Sequence, residues 1–281
     1  MSFILIETLQ DLKYLNKELL LRSHVGIDTE FKRFTKENIT LSLIQINDGE
    51  ETYLIDCLSI GKCTTDVSFL FSDDVKKIFH SCREDFDAIF SWTNQWPNNI
   101  FDTQLANAFL GGKYSIGYKE LVFSKLGVSI DKEETRSNWT KRPLRDSQLS
   151  YAASDVQFLI ELFEKQTRDL NLTKKMDWVI EQQLINEKTY LSAAQNEIKG
   201  PLSKMSKELE KDCLKILHKD INFLAKKYDV NPTLLFSKKN QRGFLSRIFS
   251  SGLESALTPL PSWKKEILSK SLEIISVKLK K

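Results

Sequence analysis

No run of the 281-residue chain approaches eighteen consecutive apolar residues, so no transmembrane helix is expected. Cysteine is scarce: Cys57, Cys63, Cys82 and Cys213, none in a CxxC pair. A chain this long and core-rich needs no disulfide framework, and the reading is of reduced thiols in a cytoplasmic protein. Histidine is scarcer still, with three copies and no two at metal-ligand spacing. Any metal must therefore be held by oxygen, which points to a hard cation. The N-terminal stretch MSFILIETLQDLKYL has no basic n-region and no small-residue cleavage site, so it does not read as a signal peptide. No internal repeat or low-complexity segment is evident.

What is present is ordinary in bulk: 41% hydrophobic and 28% charged residues, as in a soluble globular protein. The length suits two domains, or one with an appendage. The net charge of +3 hides an asymmetry. Residues 199–281 hold 18 basic and 8 acidic residues, a net +10, which leaves 23 basic and 30 acidic, a net −7, in residues 1–198. A basic C-terminal block suits a polyanion and an acidic N-terminal block suits cations, although a solvated lysine-rich surface explains the basic block equally well.

Along the chain, residues 3–6 are strand-like, and Thr8 is placed to cap a helix running to about Leu20. Residues 24–31, 40–47 and 51–56 read as strands, the last two joined by the hairpin signal Asp48-Gly49. Residues 76–81 form another short strand, and from Arg83 the pattern turns helical. Long helices are expected from about Ser147 to Leu170 and from Lys174 to about Asn196. The segment 198–206, with Gly-Pro, Ser and Lys, reads as a linker between a domain over 1–197 and a helical domain over 207–281. Strands with interleaved helices followed by a helical tail give an α/β domain plus a small all-α module.

Three local patterns carry chemistry. In VGIDTEF, strand alternation puts Asp28 and Glu30 on one face, two residues apart. Paired carboxylates repel and are costly to desolvate, and a divalent cation between them removes the conflict. In YAASD, Tyr151 and Asp155 stand at i and i+4 and share a helix face. In FHSCREDF, Asp85 falls in the first turn of a helix after a strand. Each pattern alone also fits a plain structural role: a solvated strand face, a surface tyrosine beside an aspartate, a carboxylate complementing a helix dipole.

Taken together, DTEF at 28–31, LIQI at 43–46, His80 with Asp85, DTQLANAFLGG at 102–112 and YAASD at 151–155 resemble the DEDDy 3′→5′ exonucleases. Residues 117–156 follow the pattern of the ribonuclease D subfamily. The resemblance covers about residues 20–165, with the motifs in order. It implies a ribonuclease H-like fold, a mixed sheet of about five strands flanked by helices. It also implies that Asp28, Glu30, Asp85 and Asp155 hold two divalent ions, Mg²⁺ or Mn²⁺, with Tyr151 as the catalytic tyrosine. The implied activity is hydrolysis of RNA from the 3′ end to 5′-monophosphates, with tRNA precursors carrying 3′ extensions as the partner. No membrane and no obligate protein partner is expected, and a monomer is.

Candidate substrate-binding residues are Thr29, Phe31, His80, Lys141 and Arg142. For His80 a structural hydrogen bond is favoured over catalysis. Where the family often has a Thr-Tyr-x-Pro stretch, this chain has KENI at 36–39, which puts substrate contacts from that loop in doubt. Residues 229–248 and 260–275 resemble, more weakly, the HRDC helical domain, which implies nucleic-acid binding by the tail. Two other readings are a DNA 3′→5′ exonuclease, disfavoured for want of a polymerase or helicase segment, and a non-catalytic RNA-binding protein. The last should have lost a metal ligand, and all four are present.

Overall fold

The computed structural model describes residues 2–35, 38–62, 65–130, 137–191 and 206–269. The described chain forms two compact units: residues 1–104 with 116–168, and residues 105–115 with 169–281.

The first unit is built on a six-stranded mixed sheet of order β1-β4-β3-β2-β5-β6. The strands are β1 (Ile4–Ile6), β2 (His24–Arg33), β3 (Ile39–Asn47), β4 (Thr52–Asp56), β5 (Lys76–Phe79) and β6 (Ile100–Asp102). Strands β2, β3 and β4 pair antiparallel, while β1, β5 and β6 join in parallel. The β3–β4 hairpin turns at Asp48-Gly49 as expected: Asp48 Oδ1 accepts from the Glu50 and Glu51 amides at 3.0 and 2.8 Å, and Gly49 takes φ +93°. Strand β6 is the sixth, beyond the five expected. Three residues at a sheet edge are too few to show alternation, and they lay within a stretch read as helical.

Around this sheet run α1 (Leu9–Leu19), α2 (Cys57–Ile60), α3 (Arg83–Thr93), the start of α4 (Thr103–Phe109), α5 (Tyr118–Leu126), α6 (Asp146–Val156) and most of α7 (Leu159–Leu172). Thr8 caps α1 by accepting the Asp11 amide at 3.1 Å, and the helix buries Leu12, Leu15 and Leu19. The single helix expected over 147–170 is two helices, interrupted at Gln157 and Phe158. Nothing in the local sequence breaks it, since the stretch carries neither proline nor glycine. The interruption comes from a side chain 40 residues upstream, the Tyr118 hydroxyl, which accepts the Phe158 amide.

In the second unit, α8 (Met176–Leu191), α9 (Lys207–Lys227), α10 (Pro232–Leu235), α11 (Lys238–Leu257) and α12 (Ser262–Leu268) follow in order. Gly252, at φ +82°, interrupts α11. Leu217, Ile221, Leu235, Phe244 and Trp263 are buried, and Trp263 meets Phe109 edge to face at 4.9 Å. Of the expected linker, residues 198–205 lie outside the described residues, and Ser206 is the N-cap of α9. The end of the helix expected to Asn196, Cys63, Lys36 and Glu37 of the KENI stretch, and residues 270–275 of the HRDC-like stretch also lie outside them.

Gly26 marks where a helix pair meets the sheet. A Cβ there would stand 2.9 Å from Leu159 Cβ and 3.4 Å from the Val156 carbonyl oxygen, and neither atom is the far end of a flexible side chain. Gly26→Ala is expected to destabilise the protein by about 1–3 kcal/mol through overpacking, read as a lowered urea midpoint at unchanged slope.

Candidate active site

Strand β2 supplies the first pair. Its pairing with β5 covers only His24–Gly26, so from Ile27 onward it has a strand neighbour on one side alone, β3. Asp28 and Glu30 project from this half-open segment, and the register with β3 shifts just after Glu30, a bulge beside the proposed site. Helix α6 packs over the same face through Ala152 and Ala153 against Leu43 and Leu54. It brings Asp155 to the pair: one oxygen each of Asp28, Glu30 and Asp155 lie within 4.8 Å of one another. Tyr151, one turn earlier, hydrogen-bonds Asp155.

Asp85 arrives by another route and stands outside that group of three. It is buried, 6% exposed, and accepts a hydrogen bond from the Thr29 hydroxyl at 2.5 Å. Its placement begins at the tight turn between β5 and α3, where Ser81 takes φ +65°. The Asp102 carboxylate, at the end of β6, holds that turn by accepting the Ser81 and Cys82 amides at 3.0 and 3.1 Å. Helix α3 therefore starts at a fixed point, with Asp85 in its first turn.

Bringing these groups together has an electrostatic cost. At an effective dielectric of about 20, two unit charges 4.8 Å apart repel by about 3 kcal/mol. Burial, then repulsion from Asp155 and Asp85, pushes Glu30 up to about 8. Burial likewise raises Asp85 to about 7, against the opposing Thr29 hydrogen bond. Asp155 rises to about 6 by burial, restrained by Lys119 and Tyr151. Asp28 is pushed well above the usual carboxylate range by burial and by its three acidic neighbours. A hard divalent cation fits Asp28, Glu30 and Asp155: the ligands are all oxygen, and one oxygen of each lies within 4.8 Å of the others, the spacing of one coordination sphere.

A cavity of about 480 Å³ opens on the site, lined by Asp28, Tyr151 and Asp155 together with His80, Tyr118 and Lys119. Lys119 was not singled out from the sequence. Its Nζ lies 3.9 Å from Asp155 Oδ1 and 4.3 Å from the centre of the Tyr151 ring. Nor was Gln45, which sits directly opposite Asp28 on β3 and so shares its face. Its amide is fully buried with no hydrogen-bond partner among the described residues. Gln45 lay inside the LIQI motif and Lys119 inside the 117–156 stretch, but neither has a spacing to the carboxylates that sequence alone displays.

The candidate substrate-binding residues divide. Thr29 is the hydrogen-bond donor to Asp85. His80 is engaged at both nitrogens, Nδ1 with Thr103 Oγ1 and Nε2 with the Ile116 carbonyl, each at 2.9 Å, the structural role favoured for it. Arg142 grips Asp56 with Nε and Nη2 at 2.6 and 2.7 Å and donates to the Trp139 and Ser42 carbonyls. That guanidinium ties a loop to the sheet and has little capacity left for phosphate. Phe31 lies under the Arg33 guanidinium, and Lys141 is exposed.

Residues 3–171 match the model of a 3′-5′ exonuclease family. Ribonuclease D of Haemophilus influenzae is 43% identical over 152 residues, 54% of this chain and 38% of that protein. The chain thus matches less than half the length of this curated relative. The crystal structure of Escherichia coli RNase D, described as an exoribonuclease involved in structured RNA processing, shares the fold at TM-score 0.66 and 23% identity, covering 100% of this chain and 76% of that one. Brucella melitensis NrnC with bound Mg²⁺ is similar at TM-score 0.55 and 25% identity, covering 68% of this chain and 89% of that one.

Because these carboxyls hold their protons more tightly folded than unfolded, their contribution to stability is full below about pH 4 and is lost as pH rises through 6 to 8. In EDTA the melting temperature is expected to fall between pH 5 and pH 8. Added Mg²⁺ should raise it more at pH 8 than at pH 5, in thermal melts followed by circular dichroism. Equal Mg²⁺ effects at both pH values would count against the cluster as a cation site.

Proposed function

The chain belongs to the 3′-5′ exonuclease family, and from that premise we propose that it hydrolyses RNA from the 3′ end to nucleoside 5′-monophosphates. In this reading Asp28, Glu30, Asp85 and Asp155 hold two divalent ions, Mg²⁺ or Mn²⁺. The observation that carries it is the convergence of Asp28, Glu30 and Asp155 within 4.8 Å, with Tyr151 bonded to Asp155. The Mg²⁺ bound by Brucella NrnC and the ribonuclease D identity of the curated relatives support the ion and the substrate class. A 3′-extended tRNA precursor is the natural substrate inferred, in the cytoplasm, where buried thiols such as Cys57, Cys82 and Cys213 stay reduced.

A phosphodiester resists hydrolysis because an anion must attack an anion. Divalent ions at the carboxylates supply the missing positive charge, lower the pKa of water and offset charge on the leaving 3′-oxygen. The chain's own groups do the rest. Asp28 and Glu30 fix one side of the reacting phosphate's berth from the sheet, and Asp155 fixes the other from α6. The Tyr151 phenol, hydrogen-bonded to Asp155, orients the attacking water, and once deprotonated to the phenolate it would take the water's proton. The Lys119 ammonium, beside both, adds one positive charge where the phosphate must enter.

A digest of 3′-labelled and 5′-labelled RNA and DNA, with Mg²⁺, Mn²⁺ or EDTA, tests the reading. Release of labelled mononucleotide from the 3′ end of RNA, abolished by EDTA, is expected. A preference for DNA would move the substrate assignment to the DNA exonuclease reading. Asp28→Asn and Asp155→Asn should each abolish turnover and leave RNA binding largely intact. Tyr151→Phe should slow turnover by about 10²–10⁴-fold with little loss of Mn²⁺ affinity. Full activity in either aspartate variant would sink the site assignment.

The basic tail is read as an HRDC-like nucleic-acid-binding arm. Helix α9 exposes Lys215, Lys219, Lys226 and Lys227. If they meet phosphates, replacing all four by Gln lowers the slope of log affinity against log salt by about 0.7 for each phosphate of single-stranded RNA that is no longer neutralised. An unchanged slope in fluorescence anisotropy titrations would place the arm elsewhere.

A further inference from the structure

The break between α6 and α7, at Gln157 and Phe158, begins two residues past Asp155, and one hydroxyl occupies it. In an uninterrupted helix the Phe158 amide would donate to the Ser154 carbonyl. Here the amide donates instead to Tyr118 Oη at 3.0 Å, and Tyr118 Oη donates to the Ser154 carbonyl at 3.4 Å. One hydroxyl has entered the ladder and replaced a single backbone bond with two links. A side chain inserted in this way changes a helix's direction.

The redirected chain lands close to the sheet. Leu159, the first residue of α7, approaches the backbone of Gly26, two residues before Asp28, so closely that a methyl group there would collide with it. Asp155 sits between the two backbone groups that the hydroxyl joins, and Tyr151 lies one turn before it. The Tyr118 ring is itself held. It meets His80 edge to face at 5.8 Å, and His80 is fixed by Thr103 and the Ile116 carbonyl. The next residue, Lys119, reaches Asp155 and the Tyr151 ring, so the first turn of α5 approaches the end of α6 by two routes.

We propose that Tyr118 is a positioning residue: its hydroxyl, by entering the helix between Ser154 and Phe158, sets the direction in which α6 ends and so aims Asp155 at the carboxylate pair on β2. The hydroxyl is engaged by backbone on both sides, so its contribution to chemistry runs through Asp155. This inference rests on the reading that the carboxylates hold a divalent ion, and its test separates the two.

Tyr118→Phe removes the hydroxyl and keeps the ring. Leu12→Ala is the control for reduced stability alone, since Leu12 is buried on α1, which supplies no residue to the site or to the break. Mn²⁺ binding without substrate, by electron paramagnetic resonance titration, is measured for the full chain and both variants, followed by kcat and KM on RNA. For Tyr118→Phe, Mn²⁺ affinity is expected to fall by about tenfold, with kcat lowered, KM nearly unchanged and a cooperative melt retained. Leu12→Ala should melt earlier with Mn²⁺ affinity intact. Unchanged affinity in Tyr118→Phe, an equal loss in Leu12→Ala, or failure of Tyr118→Phe to fold would each overturn the positioning role. Failure of the unaltered chain to bind Mn²⁺ would instead overturn the ion reading, and this inference with it.

Discussion

Repulsion among carboxylates crowded at one end of a sheet is the constraint around which the first unit is organised. Water would screen such charges, but here burial withholds the screening, and the groups respond by holding protons well above their ordinary range. A fold driven only by its own stability would separate them. It instead assigns them to three elements that cannot drift apart: Asp28 and Glu30 to β2, Asp85 to α3 and Asp155 to α6. The strain is therefore shared between apolar packing and hydrogen bonds that contribute nothing to the charge balance.

The supports differ for each carboxylate. Strand pairing fixes Asp28 and Glu30, and the end of the β5 pairing at Gly26 leaves room for the helices to approach. Asp102 fixes Asp85 indirectly by holding the positive-φ turn at Ser81. The Thr29 hydroxyl then meets the Asp85 carboxylate itself. Asp155 depends on a helix whose end is defined by a distant tyrosine, and Gly26 supplies the clearance. Because each support is separate, damage to one is expected to displace one carboxylate, not to dissolve the cluster.

How much of this could be read from the sequence follows from the range of each interaction. Alternation on β2 and the i, i+4 relation of Tyr151 and Asp155 are local, so both facing pairs were legible. So were the Thr8 cap and the Asp48-Gly49 turn, where two or three residues determine the geometry. The split of the helix over 147–170 was not, because its cause is a hydroxyl 40 residues away and no breaker marks the place. Strand β6 was too short to show a period. Arg142 looked like a phosphate ligand in a basic loop, yet its charge is taken by Asp56, whose nearness only the folded chain reveals. Asp85, ordinary in its own helix turn, took its candidacy from the order of the motifs. It stands outside the tight group of three.

The charge arithmetic joins the two ends of the chain on the proposed reading. Residues 1–198, at net −7, oppose the approach of a polyanion, and the four carboxylates concentrate that opposition where a phosphate must bind. Two dications cancel four carboxylates, after which Lys119 leaves the site slightly positive. On that reading the ions that would activate water would also admit the substrate, and RNA held productively at the site would be coupled to ion occupancy. The net +10 of residues 199–281 carries no such condition, and a phosphate backbone is attracted to it whether or not ions are bound. On that reading capture and cleavage would depend on different charges: capture would weaken with monovalent salt, and cleavage would vanish with removal of the divalent ion.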